Sequence, residues 1–363
     1  MNILLTTQFG GVAGSTYSLF YLARGLKDKG HKVIIGLPYH TLLHRMCEEH
    51  SLPTVHIPFS TKFDLKSIRL IRDTVKKERI QLINAQESKD RYNAIFCKIF
   101  FTPFVKIVLT RRQRVADNNP VKRWLHVKFS EKIVVISEGL RKIVVRKGFP
   151  PEHLQVIYNG LPTEQYTLRK TLVEHLRKKF KITNSDKVIG CVARPKMQDQ
   201  LVEALKKLPE TYKLLIVGLD KEKYSAKFPE SDLNAITSRI IFAGVVDDKE
   251  ELFHHYSLMD VHVLPSKMDG FGLVSVEAMA MGVPVIGSNY GGIPDVIKHN
   301  HSGFIFENGD IEGLAKYIEK ICTDHLVRKR FIKAGFETAL NKFSISETIN
   351  QYEKLFDSII KQY

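Results

Sequence analysis

Short unbroken apolar runs alternate along the chain with longer stretches whose apolar positions recur roughly every three to four residues. Asn2–Thr6 is the first such run. A glycine-bearing loop follows, and Ser15–Lys29 then reads as a helix ended by Gly30. Residues 31–36 read as the next strand, followed by helix 41–50, strand Thr54–Ile57, helix 64–78 and strand Gln81–Asn84. Further strands are predicted at Lys106–Leu109 and Lys132–Ile136. A second series runs through strand Val188–Val192, helix 199–207, strands Lys213–Val217 and Arg239–Ala243, helix 248–258 and strand Val261–Leu264. Helix 273–281, strand Pro284–Ile286 and a long helical stretch complete it, and residues 159–187 read as the connection between the two series. This rhythm predicts an α/β chain of two doubly wound parallel-sheet domains, with a ligand cleft at the carboxyl ends of the strands. The expected boundaries are 1–163 and 164–344, with the terminal helix of about 345–363 packing back on the first domain.

A length of 363 residues suits two cores of ordinary size, and 44% hydrophobic residues with a mean hydropathy of −0.14 suit a folded chain. Charge adds an asymmetry. The net charge is +16, yet residues 1–163 hold 27 Lys and Arg against 12 Asp and Glu, while the remainder holds 28 against 27. Residues 98–147 alone carry 13 cations against 3 acids. Cys47, Cys97, Cys191 and Cys322 are too widely spaced for a disulfide framework or a zinc site, and read as buried thiols of a reducing compartment. No basic region precedes an apolar run at the start, so no secretion signal is expected. The greasiest stretch, 94–110, is interrupted by Lys98, Pro103 and Lys106 and is too short to span a bilayer.

The first glycine loop, Gly10-Gly11-Val12-Ala13-Gly14, has the wrong spacing for a dinucleotide fingerprint, and no acid ends the second strand to hold a ribose. It reads either as a tight strand–helix turn or as a place where backbone approaches a ligand closely. A more specific segment is Asp269-Gly-Phe-Gly-Leu-Val-Ser-Val-Glu277, followed by Gly282-Val-Pro and by Gly291-Gly292-Ile293-Pro294-Asp295. Here Gly270 and Gly272 allow a tight bend. The amides that open the following helix then face the loop as a diphosphate-sized anion site, with Glu277 one turn inside as an acceptor for sugar hydroxyls. A plain βαβ unit with a solvated Asp269 is the simpler alternative.

Taken together, these segments resemble the retaining glycosyltransferase family 4, which has the GT-B fold: two Rossmann-like domains facing across a cleft. The likeness runs through the Gly10-Gly11 loop, Ile136-Ser137, residues 156–160, Val192-Ala193-Arg194 and the block from Asp269 to Asp295. It implies a C-terminal domain that binds a nucleotide-sugar donor and an N-terminal domain that binds the acceptor. By that likeness Glu277 holds the nucleotide ribose, Asp269 contacts the donor sugar, and the amides of Phe271, Gly272 and Leu273 hold diphosphate oxygens. Arg194 neutralises the departing diphosphate, and Gly10 and Gly11 bring backbone towards the same phosphates. No resident cofactor or metal is implied, and there is no Asp-x-Asp segment to suggest one.

Three departures from the family pattern stand out. Asp269 replaces the commoner Glu. Asp199 and Gln200 occupy positions where Lys-Gly is usual, so Lys196 is the candidate second cation for the diphosphate. Thr110-Arg111-Arg112 lacks the His that often follows the fourth strand, so no catalytic histidine is carried over. Arg111, Arg112 and Arg114 read either as a solvated basic loop or as contacts to a phosphate or acceptor anion. Outside this site, the segment around Trp124 (Lys122, Arg123, Lys128, Phe129) and helix 64–79 combine cations with apolar side chains, as membrane-interface elements do. No zinc spacing or RNA motif supports a nucleic-acid partner. The expectation is a retaining hexosyltransferase acting on a lipid-linked or anionic envelope glycan such as lipopolysaccharide, cytoplasmic and peripheral on the inner membrane face. A degenerate GT-B binding protein without transferase activity is the alternative.

Overall fold

The computed structural model describes residues 1–112, 119–166, 170–229, 233–267 and 269–361. The chain forms two compact units, one built from Met1–Gly160 with the terminal helix Ile345–Lys361, the other from Leu161–Ser344. Each is a parallel sheet covered by helices, so the α/β reading from the apolar rhythm holds.

The first unit carries strands β1 (Asn2–Thr6), β2 (Lys32–Leu37), β3 (Thr54–His56), β4 (Leu82–Ala85), β5 (Lys106–Arg111), β6 (Lys132–Val135) and β7 (Leu154–Val156). They lie in the order β3-β2-β1-β4-β5-β6-β7, every pair parallel. Both faces of this sheet are covered, which is why Ile3, Leu4 and Leu5 are all fully buried. Helix Ile345–Lys361 packs beside helix Gly14–Asp28. Tyr352, Phe356 and Ile359 join the same core as Leu19, Leu22 and Leu26.

The second unit carries β8 (Lys187–Val192), β9 (Tyr212–Val217), β10 (Ile240–Gly244), β11 (Val261–Leu264), β12 (Val285–Ser288) and β13 (Gly303–Phe306), in the order β10-β9-β8-β11-β12-β13, again all parallel. The stretch read as a connection is built into this unit instead. Leu161 N–H donates to the Phe343 carbonyl at 2.8 Å, and Tyr166 is buried against Phe253 with ring centroids 4.5 Å apart.

The sequence reading missed helix Ser88–Phe100, strands β7 and β13, and the short helix Ile293–Val296. All four cysteines are buried and free, and burial pushes the thiols of Cys47, Cys191 and Cys322 up to about 12. Among the described residues no helix is long and apolar enough to cross a membrane.

Candidate functional site

Three loops at the carboxyl end of the second sheet are fastened to one another. After β11 the chain runs through Ser266 to Asp269, then bends at Gly272, whose φ of +89° is accessible to glycine at little cost, and enters helix Leu273–Ala280. Ser288, at the end of β12, donates its Oγ to the Ser266 carbonyl at 2.7 Å and accepts from Ser266 N–H at 3.0 Å. The next turn brings Gly291, with φ +58°, directly against the Asp269 carbonyl. Any Cβ there would collide with that oxygen, and Gly292 N–H lies 3.3 Å from it. The Gly-Gly-Ile-Pro segment is therefore the backrest that sets the position of Asp269. Phe271, 3% exposed, anchors the loop by packing edge-on to Phe343 at 5.3 Å.

Helix Leu273–Ala280 starts without a side-chain cap. The amides of Leu273 and Val274 have no acceptor within the helix, as at any helix start, and the dipole adds partial positive charge beside Gly270 and Gly272. Glu277 lies one turn further in, half-buried. Burial pushes its carboxyl above the usual range, opposed by a hydrogen bond from Tyr256 and by the charge of Lys249. Tyr256 Oη donates to Glu277 Oε2 at 2.8 Å, and the ring is fully buried. Lys249 donates to Gln165 Oε1 at 3.0 Å and lies 5.5 Å from the Tyr166 ring centroid, while burial lowers its own pKa.

The loop after β8 supplies the cations. Gln198, with no exposed surface, accepts from Lys196 N–H at 2.7 Å and donates to the Arg194 carbonyl at 2.8 Å, clamping the 194–198 turn. Arg194 is exposed on that turn. The Lys196 ammonium forms an ion pair with Asp269 Oδ2, so the two loops are joined by a side-chain contact. Gln200 turns the other way: its amide donates to Asn308 Oδ1 at 3.1 Å and accepts from Gly309 N–H at 2.7 Å, holding the loop after β13. Asp199 opens helix Asp199–Lys206. Its Oδ1 is buried without a partner, and burial raises its pKa.

The structure thus brings Asp269 and Lys196 together and fixes Gly270, Phe271, Gly272, Leu273 and Glu277 on the adjoining loop and helix. Sequence reasoning missed Tyr256, Lys249 and Gln198. Tyr256 occupies an ordinary apolar helix position, and nothing in its spacing reveals where its hydroxyl points.

Gly10, Gly11, Arg111 and Arg112 belong to the first unit. Gly10 is wedged against Thr41, and its carbonyl accepts from Leu43 N–H at 2.9 Å. A Cβ on Gly11 would lie 3.0 Å from the Phe9 ring. Arg111 is not a solvated loop residue, because it ends β5 with 6% exposure. Its guanidinium reaches His126 Nδ1 at 2.9 Å and stacks 4.8 Å from the Phe149 ring centroid. Burial and the charge of Arg111 push His126 down to about 2, leaving it neutral. Arg112 donates to Asn159 Oδ1 at 2.5 Å and to Gln86 Oε1 at 3.0 Å. Arg114 lies outside the described residues. Among the described residues, no three His, Cys, Asp or Glu side chains gather as metal ligands.

Residues 12–165 match the family model described as Glycosyltransferase Family 4, and residues 173–338 match that of Glycosyl transferases group 1. A relative from Staphylococcus aureus, a capsular polysaccharide biosynthesis glycosyltransferase (CapM), is 30% identical over 243 residues, 63% of this chain and 62% of its own. The N-acetyl-alpha-D-glucosaminyl L-malate synthase of Bacillus anthracis is 28% identical over 237 residues, 64% of this chain and 61% of its own. The matched stretch therefore spans about three-fifths of the length of these curated relatives. Among solved structures, Anabaena Alr3699/HepE in complex with UDP and glucose superposes with a TM-score of 0.85 at 21% identity, over 99% of this chain and 100% of that one.

Proposed function

Because the chain belongs to the glycosyltransferase family that these two models describe, we propose that it is a retaining glycosyltransferase. In this reading it moves a sugar from a nucleotide-diphosphate sugar to a lipid-linked or anionic cell-envelope glycan, of which lipopolysaccharide is one example. The observation that carries this reading is the gathering of Asp269, Lys196, Glu277 and the opening amides of helix Leu273–Ala280 on loops that end one parallel sheet. The Staphylococcus aureus relative is named for capsular polysaccharide biosynthesis, and a structure of the same fold holds UDP and glucose. The relative supports an envelope glycan as product, and the structure supports a nucleotide-sugar donor.

In the proposed reaction the bond from the sugar's anomeric carbon to the β-phosphate oxygen breaks, with oxocarbenium character at the carbon and negative charge growing on the phosphate. Arg194, Lys196 and the helix amides are the groups available to stabilise that charge. Glu277 accepts hydrogen bonds from the ribose hydroxyls, and Asp269 orients the sugar. The acceptor hydroxyl attacks the face that the phosphate leaves. Its oxygen forms the new bond to the anomeric carbon and its proton passes to the departing phosphate oxygen, so configuration is retained.

The test is transfer or hydrolysis from a panel of UDP-, GDP- and ADP-sugars, comparing wild type with E277A. One donor turned over by wild type and not by the variant is expected. Equal rates in both would overturn the site assignment. Failure of all three nucleoside diphosphates to bind would favour a degenerate binding protein.

A further inference from the structure

In the first unit, right-handed crossovers place helices Leu65–Lys77, Ser88–Phe100 and Pro120–Lys128 on one side of the sheet, opposite the side where the terminal helix packs on Gly14–Asp28. That side presents a run of exposed aromatic rings. Phe63 meets Phe96 edge-on at 4.9 Å, Phe96 stacks on Phe100 at 6.3 Å, and Phe100 adjoins Phe101 at 6.3 Å. Phe100 is 59% exposed, Phe104 63% and Trp124 56%. Water-facing rings at this density are unusual on a soluble surface and mark an interaction face.

Cations border the rings. Lys62 sits 5.5 Å from the Tyr92 ring centroid and Arg72 sits 5.5 Å from that of Phe101. Lys66, Arg69 and Lys76 are exposed on the same helix. The acids among them are already engaged. Asp64 caps the helix by accepting from Lys66 and Ser67 amides, Asp73 pairs with Arg72 at 2.7 Å, and Glu78 pairs with Lys32 at 2.8 Å. At the far end of the helix, on the sheet edge where β4 and β5 begin and which the end of the terminal helix also reaches, a hollow of about 520 Å³ is lined by Lys76, Arg79 and Lys106 together with Phe104, Ile80 and Ile360. It offers three cations beside apolar walls.

We propose that this face docks on an anionic phospholipid bilayer. Phe63, Phe100 and Phe104 enter the headgroup–acyl boundary, the helix cations lie over the negative surface, and the hollow receives a lipid phosphate. Aromatic rings favour that boundary, and basic side chains beside them add attraction to anionic lipid. A second copy of the chain is a poor occupant, since it would set like charges against one another. The inference stands on this surface and not on the transfer reading.

The test is sedimentation of the full chain with vesicles of phosphatidylcholine alone and of equal parts phosphatidylcholine and phosphatidylglycerol. Trp124, the only tryptophan, reports contact by its emission. Wild type is expected to sediment with the anionic vesicles only, with a blue-shifted Trp124 and release by salt. R69A and K76A should each lower the partition roughly fivefold. F100A/F104A should lower it about tenfold or more while preserving the salt response. All variants are expected to keep the wild-type circular dichroism spectrum and thermal unfolding midpoint, so a misfolded protein is recognised. Sedimentation with neither vesicle or equally with both, variants that bind like wild type, or a lipid-free dimer that shields Trp124 would each overturn the proposal. No arm needs a donor, so E277A can fail in transfer while vesicle binding stands, and the reverse.

Discussion

Replacing Tyr256 by Phe isolates one atom of the site. The ring is fully buried and a phenyl fills the same space, so no cavity opens. What is lost is the hydroxyl, which donates to Glu277 Oε2 at 2.8 Å and also reaches the Val274 carbonyl at 3.2 Å. A hydrogen bond to a charged group contributes about 1.5–3 kcal/mol, or roughly 10- to 150-fold in an equilibrium. Lys249 still contributes favourable charge to Glu277, so the low end of that range is expected. If Glu277 holds the ribose equally in ground and transition states, Y256F raises the donor KM about tenfold and leaves kcat nearly unchanged. A second signature separates this from simple loosening. Burial raises the Glu277 pKa and the Tyr256 hydrogen bond lowers it, so the variant's carboxyl titrates higher still. The acid limb of kcat/KM should move to higher pH. Stability should follow the same linkage. With its folded pKa above the unfolded one, Glu277 favours the folded state below its unfolded pKa, and this contribution is lost as pH rises through the folded value. The assay is donor hydrolysis across pH, with urea unfolding at each point. An unchanged KM together with an unmoved acid limb would refute the assignment of Glu277 as a donor ligand held by Tyr256.

Other substitutions probe the surrounding frame. K196A breaks the ion pair with Asp269, whose side chains are about a fifth exposed. It should lower stability by about 1 kcal/mol and weaken nucleoside diphosphate binding roughly tenfold in titration calorimetry, with nucleoside monophosphate binding little changed. G291A forces a side chain into the left-handed region and against the Asp269 carbonyl. We expect about 1–3 kcal/mol less stability by thermal unfolding and at least a hundredfold loss of turnover with the fold retained by circular dichroism. Asp90 has no exposed surface, and burial pushes it up to about 6. Its folded pKa lies above the ordinary value, so its contribution to stability falls by about 3 kcal/mol as pH rises from about 4 to about 6. The unfolding free energy of D90N should therefore rise more steeply with pH across that window than wild type, and equal slopes would refute it.

Most of the strands were readable because parallel strands buried on both faces leave unbroken apolar runs, and β11 falls at Val261–Leu264 as its run predicts. Helix Ser88–Phe100 escaped because its buried face is partly polar. Asp90 accepts from the Gln86 and Glu87 amides, and Asn93 bonds the Asp64 amide at 2.9 Å and the Thr61 carbonyl at 2.8 Å. Such residues break the apolar period while still being interior. β7 and β13 escaped as well. Each is three or four residues long and lies at a sheet edge, and β3, equally short and also at an edge, was read, so length alone does not account for the two.

Motifs along one loop could be read, but contacts between loops could not. Counting along the chain puts Asp199 and Gln200 where a cation is usual. Across the loop, Gln200 fastens Asn308 and Gly309 while Lys196 reaches Asp269. The same distinction resolves the basic half. Counted by sequence, Arg111, Arg112 and Lys98 belong to the excess of positive charge. In the fold Arg111 packs on His126 and Phe149, Arg112 bonds Gln86 and Asn159, and Lys98 pairs with Glu131 at 2.8 Å. These cations brace the end of β5 and the start of β6. Glu131 neutralises Lys98, whereas Arg111 and Arg112 are held by uncharged partners and keep their charge at the end of β5. The exposed excess on this side therefore includes Lys66, Arg69 and Lys76 of the helix that the sequence already singled out, together with Lys128 at the end of helix Pro120–Lys128.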